Sequence, residues 1–138
     1  MIKTATISFG TRGNADAHNL TDEVAVEVAR SGVGTGIVTL FCSSSTSALT
    51  TIEYESGAIA DLKRVFDEIV PPGREYAHNE AWGDGNGHSH VRAALLGASL
   101  TIPFTTGRLA LGTWQQIIHL DFDNRPRKRE VLLQIIGE

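Results

Sequence analysis

After Leu100 the apolar side chains fall into short alternating runs separated by turn residues, and this pattern restricts the fold more than any other feature. Leu100, Ile102 and Phe104 alternate, Thr105-Thr106-Gly107 is a turn sequence, and Arg108-Leu109-Ala110-Leu111 resumes the run. A period of two sends successive side chains to opposite faces of an extended chain, so the C-terminal third predicts strands joined by tight turns. Residues 113–122 and 127–136 are expected to pair antiparallel across Asp123-Asn124-Arg125-Pro126.

The first half reads differently. Residues 2–9 predict a strand, and the polar stretch from Gly10 to Asn19 a turn. Leu20, Val24 and Val28 lie four apart, the spacing of a helix stripe, which predicts a helix over Thr21–Ser31. Thr21 is the expected N-cap, with Asp22 and Glu23 in the electrostatically favourable first turn and Gly32 at the end. Gly36–Cys42 has the length and apolarity of a buried strand, the run Ser43-Ser44-Ser45-Thr46-Ser47 interrupts it, and Ala48–Tyr54 is extended again. Ser56 is expected to cap a second helix to Val70, with Ile59, Leu62, Val65, Phe66 and Ile69 on its apolar face. Pro71-Pro72-Gly73 stops that helix. Residues 74–87 show no period and predict a tightly turned loop, followed by a third helix from His88 to Leu96 that ends at Gly97. The fold class is therefore α+β: one domain over residues 1–138, a compact sandwich of a largely antiparallel β-sheet with packed helices.

Composition narrows the partners. A chain of 138 residues with 41% hydrophobic and 20% charged residues holds one core and no long disordered span. A net charge of -4 gives no basic face for nucleic acid, and Arg125, Arg127, Lys128 and Arg129 form the only basic cluster, a local anion patch or a solvated turn. Cys42 is the one cysteine, so no intrachain disulfide forms and a buried, inert thiol is expected. No stretch reaches the ~18 apolar residues of a membrane span, the N-terminus lacks a signal-peptide pattern, and a cytoplasmic location is the default expectation.

The chemistry concentrates in His78, Asn79, Glu80, Trp82, Asp84, Asn86, His88 and His90. Imidazole and carboxylate ligate zinc and related divalent ions, and Gly83, Gly85 and Gly87 let the backbone turn sharply around a ligand. Extended chain would aim His88 and His90 the same way, whereas a helix would separate them by about 200°. A purely structural reading stands beside this one: Asn86 caps the third helix and the histidines are surface hydrogen-bonding groups. Asp84-Gly85-Asn86-Gly87-His88 opens like a calcium loop but carries Ser89 and Leu95 where that motif needs glycine and glutamate. The hydroxyls of residues 43–47 suit a phosphate without forming a P-loop, since lysine and the glycine framework are missing. Glu53 is a carboxylate in an apolar-flanked segment, a candidate base or a satisfied structural acid. Along 113–122, Gln116 falls on the apolar face and needs a partner, while His119 and Asp121 share the other face, where a solvated or subunit-facing pair is expected.

Leu96-Gly97-Ala98-Ser99-Leu100-Thr101-Ile102-Pro103, then Gly107-Arg108-Leu109, then Leu111-Gly112-Thr113-Trp114-Gln115-Gln116-Ile117 resembles the YjbQ-like family, often labelled secondary thiamine-phosphate synthases. The resemblance implies an α+β sandwich assembled as a homotrimer, with a polar cleft near subunit boundaries holding Glu53, Asn86, His90, Arg108, Trp114 and Gln116. It implies a weak transferase activity that joins a hydroxymethylpyrimidine diphosphate to a thiazole phosphate and releases pyrophosphate. Such a reaction is normally aided by a divalent ion (zinc, manganese or magnesium) and by cationic side chains. On that reading His90, Glu53 and Arg108 are catalytic, Ser45, Thr46, Asn86, Trp114 and Gln116 bind substrate, His88, His90 and Asp84 hold the metal, and Arg92 adds positive charge. Many relatives carry histidine before Thr-Thr or Thr-Ser after the buried strand, where this chain has Ser45 before Thr46-Ser47; the extra His88 would offset a lost ligand. Two further readings remain: a non-catalytic protein that binds a metal or a phosphorylated ligand, and a structural trimer whose polar cluster caps helices.

Overall fold

The structure, a computed structural model, describes residues 1–138. Its elements run β1 (Ile2–Thr11), β2 (Asp16–Asn19), α1 (Thr21–Ser31), β3 (Gly36–Cys42), β4 (Ser47–Ile52), α2 (Ser56–Ile69), α3 (Ala77–Trp82), α4 (Gly87–Leu96), β5 (Ser99–Thr105), β6 (Arg108–Leu109), β7 (Gln116–Asp121) and β8 (Arg127–Gly137). Two sheets form, one ordered β1-β8-β3-β5-β6 and the other β2-β7-β4, and every pairing is antiparallel. The alternating C-terminal runs thus build strands as their period requires, and the class is α+β.

The expected pairing of residues 113–122 with 127–136 does not occur. β7 lies between β2 and β4, whereas β8 lies between β1 and β3 in the other sheet. Five successive residues of β7, Ile117 to Asp121, are buried, so this strand has no solvent face. Its Ile117 side joins the core between the sheets with Val38, Leu40, Val131 and Leu133, while Ile118 and Leu120 pack beneath the helices with Phe66, Ala93 and Phe122. The layers are therefore helices α2 and α4, the small sheet, and the large sheet, with α1 closing the inner core through Leu20, Val24 and Val28.

Local differences have simple causes. Thr21 is the first helical residue and not the cap: the Asn19 carboxamide oxygen accepts from Thr21 N and Oγ1, and Thr21 Oγ1 accepts from Ile117 N at 2.8 Å. Glu55 rather than Ser56 caps α2, its carboxylate accepting from the backbone of Gly57 and Ala58. Only one stripe of α2 is covered, so Val65 and Ile69 are exposed. Residues 74–87 contain α3, which a run of six residues is too short to reveal by period. Thr106 and Gly107, both at positive φ, make the two-residue hairpin between β5 and β6.

Candidate functional site

Helix α4 decides the geometry of the histidines. Because residues 87–96 are helical, His88 and His90 diverge. His88 turns inward, 5% exposed, with Nδ1 unpartnered and its ring beside Tyr76. Burial lowers its pKa, the Arg92 cation adds to the effect, and the Asp123 and Asp67 carboxylates oppose them. His90 turns outward and meets His78, not His88; the two rings lie 4.3 Å apart between centroids. His78 Nε2 is in turn 3.2 Å from Asp84 Oδ2. Partial desolvation works against the Asp84 carboxylate, but hydrogen bonds from the Asn86 backbone and His78 outweigh it and hold the pKa below the usual value.

The loop is built to present this pair. Gly83 and Gly85 take left-handed φ angles on either side of Asp84. Asn79 Oδ1 accepts from Gly87 N at 2.9 Å, and a side chain at Gly87 would collide with Tyr76. Asn86 is buried, and its Oδ1 accepts from Ser89 Oγ and the Asn124 backbone, so it braces the site from within.

Opposite His90 lies the serine run. Ser44, Ser45, Ser47, His90, Ala93, Ala94, Gly97 and Ala98 line one cleft of 390 Å³. Thr46 faces the other way and is buried: its hydroxyl donates to Asp123 at 3.0 Å and accepts from Arg129 Nη2 at 2.8 Å. Arg129 also grips Asp121 through Nε and Nη2 at 2.6 and 2.9 Å, and Thr11 donates to the same carboxylate. Burial opposes ionisation of Asp121 and Asp123, yet these hydrogen bonds prevail and lower both pKa values. Asp121 therefore pairs with Arg129 and not with His119, which is wholly buried with both ring nitrogens unpartnered.

The remaining expected residues lie elsewhere. Gln116 pairs in register with Ile52, next to Glu53, at the end of the small sheet away from Ser47 and Asp121. It accepts from Asn19 Nδ2 at 3.1 Å, and Glu53 is exposed. Trp114, 72% exposed, projects from the adjoining turn. Arg108 pairs with Thr105, whereas the cleft adjoins Ser99, and these ends of β5 are about 20 Å apart at a rise of about 3.3 Å per residue. Arg92 is not in the cleft: its guanidinium lies 5.8 Å from the Phe66 ring centre and bonds Val70 O and Asp67, tying α4 to α2.

The fit to a metal follows from these positions. Asp84, His88 and His90 do not form one donor set, since His88 enters the core, and no group of three or more His, Cys, Asp or Glu side chains gathers to hold an ion. What the cleft offers is hydroxyl donors facing an imidazole. The meeting of His78 with His90 escaped sequence reasoning because it depends on α3; the twelve-residue separation carried no signal of its own.

The chain is an α+β double sheet with α2 and α4 over the small sheet and a serine–histidine cleft at one end. The chain belongs to the UPF0047 protein YjbQ-like family, which it matches over residues 5–138. It is 34% identical over 137 residues to a UPF0047 protein of Methanothermobacter thermautotrophicus, covering 99% of this chain and 94% of that one. A crystal structure of a YbjQ-like protein of unknown function from Sulfolobus solfataricus P2 superposes with a TM-score of 0.90 at 31% identity, covering both chains fully. An uncharacterised conserved protein of the YjbQ/UPF0047 family from Clostridium acetobutylicum gives a TM-score of 0.87 at 33% identity, covering 96% of this chain and 99% of that one. No helix of the chain is long and apolar enough to cross a membrane.

Proposed function

We propose that the cleft between the serine run and α4 binds a small phosphorylated molecule, and that His90 moves a proton in a weak transfer reaction of the thiamine-phosphate synthase type. In that reaction a pyrimidine-bearing carbon leaves its diphosphate oxygen and bonds to a thiazole nitrogen. His90 is placed to protonate the departing pyrophosphate, and the serine hydroxyls to hold phosphate oxygens. The observation carrying this reading is the convergence of Ser44, Ser45, Ser47 and His90 on one cleft, with His90 backed by the His78–Asp84 pair. Thiamine phosphate formation is the test, run at high protein concentration with and without divalent metal. Product above a His90→Ala control is expected; a wild type no better than the variant defeats the reading.

We also propose that the chain assembles as a homotrimer through the outer face of its large sheet. On that face Ile2, Ile136, Ile37 and Pro103 stand in register across four strands, and Leu132 and Phe41 form a second pair. Phe41 is 45% exposed and Ile136 42%, so these side chains gain from burial against another copy. Light scattering on wild type and Ile37→Lys tests this: a threefold mass lost in the variant is expected, and a monomeric wild type refutes it.

A further inference from the structure

Two polar motifs far apart in the sequence, the serine run and the basic cluster at residues 125–129, meet in the fold. β3 pairs with β8 through Cys42 and Val131, so the chain leaves β3 beside Glu130 and Arg129. A groove of 350 Å³ opens there, lined by Thr6, Ser43, Ser44, Lys128, Arg129 and Glu130 along with Leu132. Ser44 lines this groove and the His90 cleft alike, so the serine run is a ridge between them.

The groove has the donors an anion requires. The backbone N–H groups of Ser43 and Ser44, which line it, go to no backbone acceptor within the protein. These N–H groups and the serine hydroxyls beside them are donors open to an anion in the groove. Lys128 is exposed and belongs to none of the ion pairs made by its neighbours Arg127 and Arg129. Arg129 commits Nε and Nη2 to Asp121 and Thr46, leaving Nη1 free of protein acceptors. Of the charged side chains that line the groove, Lys128 and Arg129 outnumber Glu130.

We infer that this groove holds the phosphate or diphosphate group of a small molecule whose remainder crosses the Ser44 ridge into the His90 cleft. The inference rests on the ligand reading of that cleft and deepens it by placing the anion. A diphosphate engages Lys128 and the serine backbone together, whereas a single phosphate reaches fewer of these donors, so the groove favours the diphosphate.

Calorimetric titration of inorganic pyrophosphate and inorganic phosphate into wild type, Lys128→Gln and His90→Ala tests the assignment. Pyrophosphate should bind saturably and more tightly than phosphate. Lys128→Gln should weaken it about tenfold, the loss of one charge-assisted hydrogen bond, and flatten its salt dependence. His90→Ala, which removes only the proton donor to the oxygen that leaves the pyrimidine carbon, should weaken it less than Lys128→Gln does and leave its salt dependence unchanged. Lys128 is exposed, so its substitution leaves folding intact, which circular dichroism checks. No pyrophosphate binding, or binding equal in wild type and Lys128→Gln, overturns the inference. Binding that depends on Lys128 without thiamine phosphate formation would keep the groove and discard the transferase. Product formation indifferent to Lys128→Gln would keep the transferase and discard the groove.

Discussion

His119→Leu should make the protein more resistant to mild acid. His119 sits on β7 between the sheets, 0% exposed, with its ring 4.9 Å from that of Phe9 and no hydrogen-bond partner on either nitrogen. Burial pushes its pKa down to about 4; Arg129 and His18 reinforce this, while Asp121 and Asp16 oppose it. In the unfolded chain the imidazole protonates near its ordinary 6.5. Between those values the unfolded state binds more protons than the folded one, so stability falls as pH drops through 6.5, and the loss is complete near 4. At about 1.36 kcal/mol per unit, the wild type loses roughly 2 kcal/mol by pH 5 and about 3 kcal/mol in full. Leucine fills similar space and abolishes this titration. Asp16 and Asp121 have lowered pKa values, remain charged over most of the window, and largely cancel between the two proteins. Urea unfolding at fixed protein concentration, from pH 7.5 to 4.5, reads the difference. Relative to wild type, the variant should gain about 2 kcal/mol between pH 7 and pH 5. A difference constant within about 0.5 kcal/mol would show that the folded ring takes up protons as freely as the unfolded one, and the reasoning would fail.

Arg129→Met would leave the Asp121 carboxylate buried without a cation, and should cost about 3–5 kcal/mol in urea unfolding at pH 7. Gly13→Ala should cost more than about 1 kcal/mol by the same measurement. Gly13 has φ +76°, and a methyl group would sit 2.5 Å from the Asp123 carbonyl oxygen. Arg92→Ala should cost roughly 2–3 kcal/mol, because the Val70 carbonyl loses its donor and two aromatic rings lose a covering side chain. Cys42 is 2% exposed, and burial raises its thiol pKa, so an aromatic disulfide reagent should leave the native protein unlabelled and titrate one thiol in urea.

Strand and helix types were legible where the period was long. Leu20, Val24 and Val28 do form the buried stripe of a helix over Thr21–Ser31, and Pro71 follows the second helix closely. Sheet membership was not legible. The turn at 123–126 resembles a hairpin, but Asp123 is fixed by Thr46 and Arg127, and these bonds carry the chain from one sheet to the other. Alternation describes the faces of a strand, whereas the choice of neighbour depends on contacts made far along the chain. His119 is the plainest case, since a histidine in an alternating run reads as surface and β7 has none to offer it. In the candidate site, the serine run and His90 were both visible as motifs, but their meeting depends on α4 packing beside β4.

The residues carried over by family resemblance divide into two groups. Ser45, Asn86 and His90 stand at one end of the small sheet, and Glu53, Trp114 and Gln116 at the other, with Arg108 at the matching end of the large sheet. A single copy therefore cannot close all of them on one small molecule, because the ends are about 17–20 Å apart at the strand rise. The proposed trimer resolves this if one copy's Glu53–Trp114–Gln116 end comes to the cleft of its neighbour. An exposed tryptophan then has a use that a monomer does not give it: a flat apolar wall for a heterocycle whose phosphate lies against the serines. Assembly and turnover would be coupled as a result. Ile37→Lys, far along β3 from the serine run, should then cost thiamine phosphate formation without altering any side chain of the cleft, whereas a site complete within one copy would keep its turnover in the dissociated variant.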